Sequence, residues 1–336
     1  MNENQEPEYR SIEAKNQSTL KLILSDPARY KIAVETPLNE RKDYFDFGSL
    51  VDCFLTDPSA FSKTYYTFEG KKPTENSGVR QVLDTLASLP EPVYDLDECH
   101  DAIVEISAAV SYGQSYKPET LLKKVKEYDD YYRSLIDGKG KVEVTAEMVA
   151  NARYSADNLQ YGEYTKTFFE NSGKFQYFPK VIRTFEYKSI LCKAEIDGVS
   201  IDLENKVIRI FDVKTTADSP LHFSKNFWKY RYDFQGSFYL LAMADWVEAK
   251  AKELGWNDYQ TDFYFLVASS QERDRLPIPY KLSNESITIG MFGGIPEKRS
   301  YNYEGIKQAF ERLHWHTVAS SWDYPLEFYE NNFLPI

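Results

Sequence analysis

After Gly173 the sequence settles into three successive runs of alternating β-branched and aromatic residues, FPKVIRTFEY, ILCKAEIDGVSIDL and KVIRIFDVKTT. Alternation at period two marks strands with one buried face. A tight turn near Lys188-Ser189 joins the first two runs and another at Glu204-Asn205 joins the last two, so neighbouring runs pair antiparallel as a meander. A helical period follows from Tyr232 to about Glu253 and stops at Leu254-Gly255, after which comes a fully apolar strand, TDFYFLVASS. Three strands, a long helix and a fourth strand, with helices in front, predict an α/β sheet sandwich.

The helices in front are short. STLKLILSDPARY, from Ser18 to Tyr30, places Leu20, Ile23 and Leu24 at helical spacing, and Asp26-Pro27 is expected to close it. FGSLVDCFLTDP, from Phe47 to Pro58, repeats the pattern with Leu50, Val51, Phe54 and Leu55 and again ends at Asp-Pro. Residues 65–140 are rich in Lys, Glu, Asp and Tyr with amphipathic turns such as TLLKKVKEYDDYYRSL, which predicts a peripheral helical insertion. Val144-Thr145-Ala146-Glu147 then has the form of a cap and helix start, with Met148, Ala152 and Leu159 on one side. The expected organisation is one domain over 1–336: front helices in 9–64, the insertion in 65–140, and helix, sheet and helical tail in 141–336.

No stretch approaches the roughly 18 apolar residues of a membrane span. The start, MNENQEPEYR, is polar and acidic where a signal peptide is basic then apolar, so the expected location is the cytoplasm. Cys53, Cys99 and Cys192 are scattered and form no CxxC pair, which argues against a disulfide framework, a zinc site or an iron-sulfur cluster. The net charge of −12 runs against a nucleic-acid binder, but net charge reports on solubility, and a local site can differ from the whole surface.

The chemistry concentrates on the meander. Asp212 and Lys214 stand two apart on one strand and therefore share a face, with Val213 turned the other way; Asp197 closes the paired strand and is expected to converge on them. Two carboxylates and a lysine suit Mg2+ or Mn2+, with the lysine orienting a water or stabilising charge on phosphorus. The bland alternative makes Asp197 a turn residue of Asp197-Gly198 and Asp212 and Lys214 a salt bridge. Gln235 and Tyr239, four apart on the long helix, reach one groove; alternatively Tyr239 is a core aromatic and Gln235 its solvated neighbour.

ILCKAEID, FDVKTTAD, KYRYDFQGSFY with its Gln235-x-x-x-Tyr239 spacing, and FYFLVASS after the helix together resemble the PD-(D/E)xK nucleases, and within them the RecE-type exonucleases (exonuclease VIII). The likeness extends to QSTLKLILSDPARY, DFGSLVDCFLTDP, KVEVTAEMVANA and the tail near HWHTVASSWDYP, leaving residues 65–140 outside it. It implies a restriction-endonuclease-like core, a central mixed sheet flanked by helices, with a helical insertion. It further implies Asp197 and Asp212 as Mg2+ or Mn2+ ligands, Val213 as a ligand through its carbonyl, Lys214 as the catalytic lysine, and Gln235 and Tyr239 lining the active site. The function implied is a DNA exonuclease that resects duplex ends for recombination in a bacterial or phage-infected cell, working as a ring-like homo-oligomer beside a single-strand annealing protein. One position departs from the family: its Gly-x-x-x-His histidine falls at Asp52, four after Gly48, where a carboxylate either binds metal or is a helix surface residue.

Glu186 on the preceding strand is a further candidate acid, or part of a solvated strand face. Lys21, Lys225, Lys229 and Arg231, interleaved with Phe and Tyr, are candidate phosphate contacts, or solvated surface. His314 and His316 are two apart in a helical tail and so turn to different faces, which favours structural roles. A nuclease fold retired to DNA binding or assembly, with Asp52 as its best support, and an endonuclease are the competing functions. Nucleases of the helicase-linked or CRISPR-adaptation kind commonly carry four cysteines around an iron-sulfur cluster, which three cannot supply.

Overall fold

The computed structural model describes residues 9, 11–36, 43–272 and 275–334. Apart from Tyr9, the polar start MNENQEPEYR lies outside the described residues. Helix α1 spans Gln17–Ile23, where the Asn16 side chain accepts the Thr19 N–H at 2.9 Å and Leu20 and Ile23 are fully buried. The helix ends ahead of Asp26-Pro27, as expected, but the chain does not stay irregular to Tyr30. The Asp-Pro pair opens α2, Pro27–Glu35, with Asp26 as N-cap to the Arg29 N–H at 2.9 Å and Pro27 in the first turn, where its missing N–H costs nothing. Helix α3 runs over Asp43–Thr56 and buries Leu50, Val51 and Phe54.

Residues Asp57–Ala150 form a compact unit of their own. It contains α4 (Phe61–Thr64), β1 (Tyr65–Thr67), α5 (Gly78–Ser88), α6 (His100–Ala109), α7 (Pro118–Lys126), α8 (Asp129–Asp137) and β2 (Val142–Val144), with β1 and β2 paired in parallel. Val79, Val82, Leu83 and Leu86 recur at helical spacing on α5 and close over Ile103, Val125, Tyr131 and Tyr132. The two buried phenols are satisfied: Tyr131 donates to Asp84 at 3.1 Å and Tyr132 to the Val93 carbonyl at 2.6 Å.

The remainder of the chain forms the other unit, whose sheet carries the site. Helix α9, Ala146–Tyr161, begins within the Asp57–Ala150 stretch, where Thr145 Oγ1 caps it by accepting the Met148 N–H at 3.0 Å, and continues here from Asn151. β3 (Phe175–Tyr187), β4 (Ile190–Asp202) and β5 (Val207–Thr216) form an antiparallel meander. Lys188 and Ser189, with φ of 49° and 60°, make the left-handed two-residue turn that matches strand twist. Helices α10 (Phe223–Phe227) and α11 (Tyr232–Glu253) then lead to β6 (Gln260–Ser269), parallel to β5. A fifth strand absent from the sequence expectation, β7 (Ile278–Lys281), pairs antiparallel with β6 at the sheet edge. Helices α12 (Asn284–Phe292), α13 (Ile306–Ala319) and α14 (Leu326–Asn331) complete the unit.

This is a mixed α/β fold with a five-stranded sheet in the order β3-β4-β5-β6-β7, flanked by helices. One sheet face packs Ile196, Val199, Ile208, Ile210, Phe263 and Phe265 against Phe234, Phe238 and Met243 of α11 and Leu20 and Ile23 of α1. Each such side chain, taken fully out of water, contributes about 1.5–3 kcal/mol. His316 is buried, stacked on Trp322 at 5.5 Å, while His314 is exposed. Among the described residues no helix is long and apolar enough to cross a membrane.

Candidate active site

Asp197 does not end its strand, and Asp197-Gly198 is not a turn: β4 runs on to Asp202. Inward residues of β4 alternate through Cys192, Ala194 and Ile196, then step by three to Val199 and Ile201. β3 makes the same step between Phe178 and Val181, and Lys180 between them has φ 44°. Lys180 falls opposite Asp197 in the register, between Pro179↔Gly198 and Val181↔Ile196. Both strands therefore change face together at Lys180 and Asp197. Gly198 is needed there because a Cβ would sit 2.3 Å from the Phe211 ring, which is fixed between Phe168, Phe169 and Tyr177.

The β4–β5 ladder ends at Gly198↔Phe211. Where the next rung would form, Asp197 Oδ2 accepts the Val213 N–H at 2.7 Å. The N–H and carbonyl of one strand residue face the same neighbour, so the Val213 carbonyl is directed to the same gap. On the other parity Asp212 and Lys214 share the α11 face, their charged atoms 2.7 Å apart. Gln235 Nε2 donates to Asp212 Oδ1 at 2.9 Å and to the Tyr239 hydroxyl at 3.3 Å. Tyr232, at the start of α11, lies beneath the Lys214 ammonium, 5.3 Å from its ring centre. The structure thus brings Asp197, Asp212, Val213, Lys214, Gln235 and Tyr239 together.

Burial drives the Asp197 carboxyl well above the usual carboxylate range, and the charges of Asp212 and Asp52 push it further; Lys214 and the Val213 N–H oppose them. For Lys214 burial acts to lower the pKa, but Asp212, Tyr232 and Asp197 outweigh it, and the ammonium is held protonated. Tyr239 is raised by burial, then by Asp212 and Asp197, and stays a phenol. Burial, then the neighbouring Lys214 and Arg231, bring Lys21 down to about 8 against the pull of Asp233 and Asp212.

The remaining candidates divide. Lys21 donates to the Tyr230 carbonyl at 3.4 Å and lies within the field of Lys214. Lys225 and Lys229 are exposed, the latter over the Tyr230 ring at 5.4 Å. Arg231 forks its guanidinium onto the fully buried Asp233 at 3.0 and 2.9 Å and also donates to the Glu304 carbonyl, which fixes the start of α11. Glu186 is corrected. It pairs with Leu191 near the β3–β4 turn, six residues from Lys180 and so about 20 Å along the strand from Asp197. Asp52 is bound to Lys180, 2.6 Å away, on a helix whose Gly48 approaches Thr215 of β5. Nothing in the sequence signalled Lys180, because its backbone conformation follows from the paired kink.

Among the described residues no three His, Cys, Asp or Glu side chains form a ready metal cage. The chemistry still fits a hexacoordinate hard cation. Asp212 Oδ2 is buried, with the Lys214 ammonium 2.7 Å away. Mg2+ is held by one or two carboxylates, with water and substrate phosphate filling the rest of its shell. Asp197, Asp212 and the Val213 carbonyl would hold such an ion.

No family model matches the sequence, and no curated protein matches it. Among solved structures, a candidate exonuclease from Eubacterium rectale aligns over 96% of this chain and 90% of its own at 12% identity, with a TM-score of 0.44. A likeness at that level carries no argument about fold or activity.

Proposed function

We propose that the chain is a divalent-metal-dependent deoxyribonuclease of the PD-(D/E)xK kind, acting as a RecE-like exonuclease on duplex ends. The observation that carries this reading is the convergence of Asp197, Asp212 and Lys214 at the strand gap, with the Lys214 ammonium 2.7 Å from Asp212 Oδ2. A bound Mg2+ or Mn2+ would polarise the scissile phosphate and lower the pKa of a water nearby.

The chain's own residues supply the rest. Gln235 orients Asp212 through Oδ1 and leaves Oδ2 beside the Lys214 ammonium. Lys214, held protonated between Asp212 and the Tyr232 ring, offers its ammonium to the charge that grows on the phosphoryl oxygens as water attacks and the P–O bond to the leaving oxygen breaks. Tyr239 lines the groove beside Gln235. Lys21, Lys225 and Lys229 serve as phosphate contacts that set strand register without reading sequence. Ring-like homo-oligomers, a strand-annealing partner and a role in recombination belong to the same proposal.

The test is digestion of end-labelled linear and closed circular DNA with Mg2+, Mn2+ or EDTA, beside Lys214→Ala. The proposal expects linear DNA alone to be degraded, with activity abolished by EDTA and reduced about 100-fold or more in the variant. Nicking of circular DNA would make it an endonuclease. DNA binding with no cleavage under any metal would leave a binding protein on a nuclease fold.

A further inference from the structure

Lys180 occupies an unusual place. It faces Asp197 across the β3–β4 pair, and its φ of 44° is a conformation that costs a non-glycine residue on the order of 1 kcal/mol. That backbone carries the ammonium to the Asp52 carboxylate, 2.6 Å away, with Lys180 about one-fifth and Asp52 about one-third exposed. The Asp52 charge acts on Asp197 directly, so the pair borders the metal-binding carboxylates. A third carboxylate beside Asp197 and Asp212 would normally be a ligand for a hard cation, and ligand charge count is a main determinant of affinity.

We propose that Lys180 sets the strength of divalent-cation binding by engaging the Asp52 carboxylate and keeping it out of the ion's coordination shell. The inference rests on the metal-dependent function proposed for the site. It gives the paired kink a purpose: the same distortion that turns Asp197 into the gap brings Lys180 onto Asp52. A site with two carboxylate ligands keeps more of its coordination positions for water and substrate phosphate. A site with three holds the ion more tightly and leaves fewer of them.

The experiment titrates Mn2+ alone, without DNA, into the wild-type chain and the variants by calorimetry, and counts bound water by pulsed EPR in D2O. Lys180→Met, with Lys180→Gln as a second variant of unchanged backbone demand, should bind Mn2+ about tenfold more tightly, and the bound ion should lose one water. In Asp52→Asn/Lys180→Met the gain should vanish. Thermal melts establish that each variant is folded. Unchanged or weaker binding in both Lys180 variants overturns the inference, as does tighter binding with the full water count, since charge alone would then act. Asp212→Asn separates the two readings. If it abolishes Mn2+ binding and the Lys180 variants behave as wild type, only the inference fails. If the wild type binds no Mn2+, or Asp212→Asn binds as well as the wild type, the metal site itself is wrong and the inference falls with it.

Discussion

Gly198→Ala tests the geometry of the site without assuming any activity. The added Cβ would lie 2.3 Å from the tip of the Phe211 ring and 2.8 Å from its two flanking carbons. The ring cannot slide freely, because Phe168 at 5.6 Å, Phe169 at 5.3 Å and Tyr177 at 6.1 Å surround it. Overpacking of this kind costs about 1–3 kcal/mol, offset by about 0.4–1 kcal/mol from the lost freedom of the unfolded glycine. With a cost near the middle of that range the net loss is about 1.3 kcal/mol, or roughly 3–5 °C in Tm for a unit of this size. Because Gly198↔Phe211 is the last rung before the Asp197–Val213 bond, Mn2+ affinity should fall with it. Urea unfolding followed by fluorescence measures the first effect. Phe211→Leu should be destabilising alone yet rescue Gly198→Ala, with a coupling of at least about 1 kcal/mol because the two side chains touch. Wild-type stability in Gly198→Ala, or simple additivity in the double variant, would refute the packing argument.

The charges dictate three further outcomes. Burial, then Asp212 and Asp52, raise the Asp197 carboxyl in the folded state, so its favourable contribution is complete below the unfolded value near 4 and is lost as pH rises through the folded value. In metal-free buffer, melts of wild type and Asp197→Asn should therefore diverge as pH climbs, with the variant gaining relative stability; a constant difference would contradict this. Lys21, brought to about 8 by burial and its cationic neighbours, should lose its charge above that pH. Lys21→Arg should then extend the alkaline limb of kcat/KM on linear DNA, and superimposable limbs would remove Lys21 from the phosphate contacts. Arg231→Met strips the partner from the fully buried Asp233 and should cost about 3–5 kcal/mol in denaturant unfolding.

The meander and the long helix are legible because their periods are unambiguous: alternation through VIRIF and helical spacing through FQGSFY. Those periods alone place Asp212 beside Lys214 and Gln235 above Tyr239. Other features depend on partners distant in sequence. Asp-Gly is a strong hairpin signal, yet at Asp197-Gly198 the strand kinks and continues without turning back, and Gly198 admits the Phe211 ring. Asp-Pro has the chemistry of both a stop and a start; at Asp26-Pro27 the carboxylate caps the N–H of Arg29, three residues on, so it starts α2. β7 has only four residues with a proline among them, too little alternation to register except as an edge strand on β6. Lys180 and Asp52 meet only because the kink in β3 turns one toward the helix that carries the other.

The net charge of −12 finds its answer in how the site is balanced. Asp52 has Lys180, Asp212 has Lys214 and Asp233 has Arg231, while Lys21 lies in the shared field and Asp197 leans on a backbone N–H. Three of these acids thus face a cation directly, and burial favours the neutral form of both Asp197 and Lys21, so the site carries little net charge and the excess of acid resides elsewhere on the chain. A locally neutral pocket does not repel a phosphodiester as the net charge would suggest, since exposed charges farther off than about 8–10 Å are largely screened at physiological salt. Under the proposed function a divalent ion turns that neutral pocket positive, so DNA affinity at the site should depend on the ion being bound first. Binding of a short DNA duplex to the Lys214→Ala variant should then strengthen with Ca2+ at constant ionic strength; affinity indifferent to the divalent ion would show that the pocket balance does not control access.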